Sequence, residues 1–260
     1  MKLGTLCLVV LCAAGCAKKE SRPQRTEPWL AHPPARASAN GDAALSLTRY
    51  RLDERSVIRF EIPGKRGALS GAFTRVSGEL AVELSDLTHS RGWVRAELGS
   101  LSIRSAAGTE ANDAALLERA RSALELSPDA NAPAVFASFE LTSVEDALPA
   151  QVEPAPERAA DTPSPTPFSR RAHFTALGNL LLHGFRVARR APLSAEFGFA
   201  DDRQVPRSLL IRSRSPFVVS LETHAIVALA SESGSKGRPV AARQAREARV
   251  SVELYGTKID

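Results

Sequence analysis

Between Tyr50 and Leu84 the apolar residues keep to one parity, and this constrains the fold more than any other feature of the chain. Tyr50, Leu52, Ile58, Phe60 and Ile62 are even-numbered, whereas Arg51, Asp53, Arg59 and Glu61 are odd; Val57 alone breaks the alternation. A period of two is that of a β-strand with one face buried and one wet. Pro63-Gly64 and Gly67 supply turn chemistry, Gly71 and Phe73 fall in a second strand, and Gly78 introduces Leu80, Val82 and Leu84, with Glu79 and Glu83 on the opposite, outward side.

The pattern continues. Val94, Ala96 and Leu98 alternate with Trp93, Arg95 and Glu97 as a third strand. A helix is expected next: Asn112 can cap it, Asp113 suits its positive end, and Leu116, Leu117, Ala120 and Leu124 keep helical spacing until Pro128 stops it. Val135, Phe139 and Leu141 share a parity in a fourth strand. Val187, Leu193, Ala195, Phe197 and Phe199 alternate up to a turn at Asp201-Asp202. Leu209 to Ile211, Phe217 to Leu221, and Val250, Val252 and Leu254 read as further strands, with Ser231 to Glu247 a flexible loop or frayed helix. About eight or nine strands and one firm helix describe an all-β chain.

Three separate stretches, in this order, carry a family resemblance. They are Tyr50-x-Leu52-Asp53-x-x-Ser56-x-Ile58-x-Phe60 with Gly71-x-Phe73 and Gly78-x-Leu80; the aspartate-led helix followed by Pro133-x-x-Phe136-x-Ser138; and Gly178-x-Leu180-x-x-x-Gly184 leading into a partner strand. Together they resemble the YceI-like family of polyisoprenoid-binding proteins, over roughly Tyr50 to Tyr255. Phe185 replaces the family's usual threonine, and Arg189-Arg190 departs from its basic-aliphatic pair. The resemblance implies a lipocalin-like antiparallel β-barrel of about eight strands with one or two short helices, holding a polyisoprenoid or similar apolar lipid without altering it. The expected wall is Ile58, Phe60, Ile62, Phe73, Leu80, Val82, Val94, Leu98, Phe139, Leu180, Leu182, Val187, Leu193 and Phe197.

The residues alone leave open whether such a barrel is hollow. An eight-stranded closed sheet is wide enough either to be filled by side chains or to hold one elongated ligand. Inward candidates are often small or medium (Val82, Val94, Ala96, Val135, Val187, Ala195), which leans towards a cavity, although the same residues are ordinary core. A chain of about 20 carbons would gain at most on the order of 16 kcal/mol relative to water, less the cost of ordering it. Leaving a bilayer forfeits nearly all of that gain, so loading needs membrane proximity. The alternative is a filled-barrel envelope scaffold or interaction lipoprotein with no ligand.

Residues 1–16 read as a lipoprotein signal peptide: Met1-Lys2, an apolar run from Leu6 to Leu11, then Ala13-Ala14-Gly15-Cys16. The last four residues resemble a lipobox, which implies lipidation of Cys16; a plain secretory signal is the alternative. All three cysteines, Cys7, Cys12 and Cys16, lie here, so neither a disulfide framework nor a cysteine metal site is expected. Residues 17–43, rich in Lys, Arg, Pro, Ser and Ala, read as a disordered tether to a barrel domain at 44–258. Ala17 after the cysteine, instead of aspartate, resembles lipoproteins sorted to the outer membrane, which implies a periplasmic protein anchored there. A stretch with six prolines, 146–169, reads as a loop inserted between neighbouring strands of one barrel, the alternative being a domain linker.

Other chemistry finds little support. There is no Gly-x-Gly-x-x-Gly, Gly-x-Ser-x-Gly or His-Glu-x-x-His, and neither a catalytic role, a cofactor nor a metal is expected. His173 and His183 share a parity but would lie about 33 Å apart on one straight strand. The net charge of +5 comes from arginines spread along polar parities, with only Arg186, Arg189 and Arg190 grouped. They read as a solvated face or as attraction to anionic lipid, and no nucleic-acid partner is expected.

Overall fold

The computed structural model describes residues 47–63, 68–105, 114–118, 121, 136–154, 168–200, 205–226 and 247–259. Twelve strands run through them: β1 (Leu47–Leu52), β2 (Val57–Ile62), β3 (Leu69–Phe73), β4 (Val76–Glu83), β5 (Arg91–Glu97), β6 (Leu101–Ser105), β7 (Phe136–Leu148), β8 (Phe168–Leu182), β9 (Phe185–Phe199), β10 (Pro206–Ser213), β11 (Phe217–Ser220) and β12 (Glu247–Ile259). All pairings are antiparallel. Eight strands close a ring in the order β1, β4, β5, β7, β8, β9, β10, β12, with β12 returning to β1. The fold is therefore the all-β antiparallel barrel that the alternation predicts. Helical structure among the described residues is slight: residues 114–118 and three single 3-10 turns at Leu87–His89, Leu98–Ser100 and Glu222–His224.

The remaining strands extend the wall at one end. β12 pairs with β2 over Arg249–Glu253 and with β1 over Gly256–Ile259, and β2, β3 and β6 follow as a branch. At the changeover Ser56, buried, fills the ladder with its side chain: its Oγ accepts from Tyr255 N at 3.0 Å and lies 3.3 Å from Tyr255 O. On the other edge β12 passes from β10 to β11, and Ser213 Oγ accepts from Val252 N at 2.9 Å in the same manner. A backbone donor left unmatched between two strands would be costly. Ser56 in the opening motif thus serves barrel closure.

Tyr50, the first residue of that motif, plugs the opposite end. It is fully buried, and its hydroxyl donates to the Pro206 carbonyl at 3.1 Å; burial pushes the phenol pKa up. Leu52, Leu87, Phe168, Phe199 and Val152 complete the plug. Val152 arrives from the proline-rich stretch, which starts by strapping across the barrel: Leu87 N donates to Ala150 O and Val152 N to Leu84 O. The strands on either side of this stretch, β7 and β8, pair with each other, with Leu148 opposite His173.

Several local expectations are corrected. Glu83 is buried, because the chain turns beside it and Ser85 donates to its Oε1 from both N and Oγ. β7 does not keep one parity: a register shift between Leu141 and Ser143 moves the inward set from Phe139 and Leu141 to Val144. His183 lies in a turn, since His183 and Gly184 both have positive φ (52° and 78°) and join β8 to β9 as a two-residue hairpin. Asn112, Ala120, Leu124, Pro128, Val135, Asp201-Asp202, most of 231–247, Cys16 and the tether lie outside the described residues.

Candidate apolar ligand cavity

The inward faces do not meet at the end of the barrel that carries the β8–β9 hairpin. They leave a cavity of about 250 Å³. By comparison with an apolar cavity of roughly 150 Å³ that takes up benzene, it has room for an apolar segment of roughly ten carbons.

Two devices open it. The first is a set of small residues where large ones would meet: Ala176 and Ala191 are register partners on β8 and β9, and both line the space together with Ala96, Ala195 and Ala248. The second is close contact of aromatics with the wall. The Phe60 ring lies over Gly71 and the Phe139 ring over Gly178, where any Cβ would collide with the ring. Phe60 also meets Phe73 at 5.6 Å between centroids. These rings coat the sheet instead of crossing the lumen.

Twelve of the fourteen expected wall residues line the cavity: Ile58, Phe60, Ile62, Phe73, Leu80, Val82, Val94, Phe139, Leu180, Leu182, Leu193 and Phe197. Leu98 does not. The strand ends at Glu97 and the chain turns through Leu98–Ser100, which buries Leu98 off the wall. Val187 does not either: β9 pairs with β10 only from Leu193 onward, and Val187 sits beyond that point towards the hairpin tip. The sequence reading missed Leu101 and Ile103 of β6, Phe174, Leu209, Ile211, and the group Leu221, Ile226 and Ala248. For Leu101 and Ile103 the alternating signal was present, but it follows a kink that ends the previous strand.

The rim near the hairpin is polar. His224 is fully buried; its Nδ1 lies 3.2 Å from Leu182 O, while His183 Nδ1 lies 3.0 Å from His224 O. A carbonyl only accepts, so both Nδ1 atoms carry the proton, and the two rings fasten the Glu222–His224 turn to the hairpin. Burial holds the His224 pKa below its usual value, with the Arg189 charge acting in the same direction. Arg189 itself lines the cavity, on the parity of Ala191 and Leu193. Its neighbours in sequence face outward and are paired: Arg186 with Glu140 at 3.4 Å and Arg190 with Glu145 at 2.8 Å. The arginine group is therefore split between the two faces of the sheet.

No family model matches the chain, and no curated protein matches it significantly. Among the solved structures similar to it are the following two. One is a polyisoprenoid binding domain from Saccharophagus degradans implicated in plant cell wall breakdown, 13% identical, with 82% of this chain and 99% of that one covered and a TM-score of 0.44. The other is BcnA of Burkholderia cenocepacia, 10% identical, with 79% and 99% covered and a TM-score of 0.49. At such identity and overlap neither structure speaks to what this chain does, and the cavity has to.

Proposed function

We propose that the protein holds an apolar lipid, of the polyisoprenoid class, inside the hollow end of its barrel and does not transform it. The observation that carries this reading is a cavity of about 250 Å³ walled by aliphatic and aromatic side chains. An apolar wall left facing water forfeits the burial that an apolar occupant would supply, so such an occupant is favoured there. Desolvation supplies the affinity and the wall supplies length and width selection. A filled scaffold fits the Tyr50 end of the barrel but leaves the alanine pair and the flattened rings of the other end without a purpose.

The same reading places the protein at the bacterial cell envelope, in the periplasm, tethered to the outer membrane by lipid on Cys16, with the proline-rich stretch inserted in a single barrel domain. Several acyl chains anchor stably where one binds only marginally, and a tethered barrel can load without carrying its ligand through water. Mass spectrometry of an organic extract of the purified protein tests the ligand: an isoprenoid or other long apolar chain is expected at near one per protein. An extract free of any such molecule, from protein that also fails to take up added geranylgeraniol, contradicts the proposal. Cys16→Ser should move the protein from the membrane to the soluble fraction; unchanged membrane retention would remove the anchor.

A further inference from the structure

Of the two arginines that line the cavity, Arg91 and Arg189, Arg189 leaves a buried guanidinium nitrogen without a hydrogen bond among the described residues. A guanidinium carries five N–H donors and stays charged under all ordinary conditions. Here it is half-buried against an apolar space, its Nε is buried with no hydrogen-bond partner among the described residues, and its remaining contacts are long: Nη1 to Ala188 O at 3.5 Å and Nη2 to Thr223 Oγ1 at 3.3 Å. Among the described residues no carboxylate lies within ion-pair distance of it, whereas Arg186 and Arg190 on either side each have one. A charge removed from water without a counterion is expensive, and burial does hold the Arg189 pKa below its ordinary value. The groups that face it on the Glu222–His224 turn and the hairpin tip, Thr223, His224 and His183, bring no negative charge apart from Glu222, which pairs with Arg189 in no described contact.

The position also matters. The opposite end is stopped by Tyr50, Phe199 and Val152, so a chain lying in the cavity has its tail towards the plug and its other end at the hairpin rim. Arg189 stands at that rim.

We propose that Arg189 binds an anionic headgroup, a phosphate or a carboxylate, carried by the lipid whose chain occupies the barrel. This rests on the lipid-holding function proposed above and specifies the ligand as an amphiphile with a single anionic end. An oxyanion would take the unpartnered Nε and the loosely held Nη donors together, in the side-on fork that guanidinium offers to phosphate and carboxylate. Thr223 Oγ1 would remain as a further donor beside them.

The test compares geranylgeranyl phosphate, geranylgeranoic acid and geranylgeraniol, which share one chain, by displacement of a fluorescent apolar probe from wild-type, Arg189→Gln and Arg190→Gln protein. Wild-type protein and Arg190→Gln should prefer at least one of the anions over the alcohol by about tenfold or more, the worth of a charge-assisted contact. Arg189→Gln should bind all three alike and keep an unfolding midpoint no lower than that of the wild type. The ratio of phosphate to acid tells which oxyanion the site prefers. Equal affinities for anion and alcohol in the wild type would overturn the inference while leaving lipid binding intact. A loss of preference in Arg190→Gln as large as in Arg189→Gln would also overturn it, since general surface charge would then suffice. Failure of all three ligands to bind would remove the lipid-holding function itself.

Discussion

The two ends of this barrel are built from the same alternation and do opposite things. At one end Tyr50, Phe199, Phe168 and Val152 meet across the lumen and close it. At the other, Phe60 and Phe139 lie flat over glycines, Ala176 faces the lumen beside Ala191, and the lumen stays open. Period two fixes which side chains point inward. Whether they touch depends on their sizes across strands and on what folds over the mouth, and neither is a periodic quantity.

The largest expected contrast comes from deleting the same side chain at each end. Phe199→Ala, at a buried position in the plug, should cost about 3–5 kcal/mol in denaturant unfolding. Phe60→Ala, on the half-buried wall of the hollow, should cost only about 1–2 kcal/mol in the ligand-free protein, and its main effect should be weaker lipid binding. Equal losses would mean that the two ends are packed alike. A smaller contrast lies within the strap. Val152→Ala should lose about 2 kcal/mol because two buried methyls go, whereas the exposed Leu148→Ala, four residues earlier, should stay within about 0.5 kcal/mol. If Val152→Ala is equally silent, the proline-rich stretch is not part of the plug.

The smallest expected effect sits outside the lumen, on the strand shared by both halves. Bonds from the Tyr255 hydroxyl, Arg212 and Arg59 lower the Glu253 pKa from its ordinary 4.5 to about 2. A carboxyl whose folded pKa is depressed contributes stability that is fully present above its unfolded pKa and is lost as pH falls towards the folded one. Wild-type stability should therefore carry a Glu253-dependent fall between about pH 5 and pH 2, and Glu253→Gln should flatten that limb; an unchanged acid profile would show that the network is not formed in solution.

The inward faces of the strands and most of the wall were legible in the sequence, since twelve of the wall residues lie on parities that it displays. What it hid were events that break a local period. The bulge after Leu141 flips β7, the turn at Leu98–Ser100 takes Leu98 off the wall and starts β6 afresh, and the end of β10 pairing leaves Val187 outside. Arg189 was hidden for another reason: its inward parity was readable, but an arginine beside two other arginines reads as surface. Ser56 and Tyr50 stand out in the opening motif, yet only the register shows that one bridges β12 and the other plugs the barrel.

The central claim is that the hairpin end of the barrel is hollow and takes an apolar chain. The most direct measurement is a titration of geranylgeraniol into wild-type protein and into Ala176→Phe, with the unfolding midpoint of each recorded. Saturable binding near one to one by the wild type, with none by an Ala176→Phe protein of equal or greater stability, is the predicted result. No binding by the wild type, together with a loss of about 1–3 kcal/mol in Ala176→Phe as expected for an overpacked core, would show that the space does not exist.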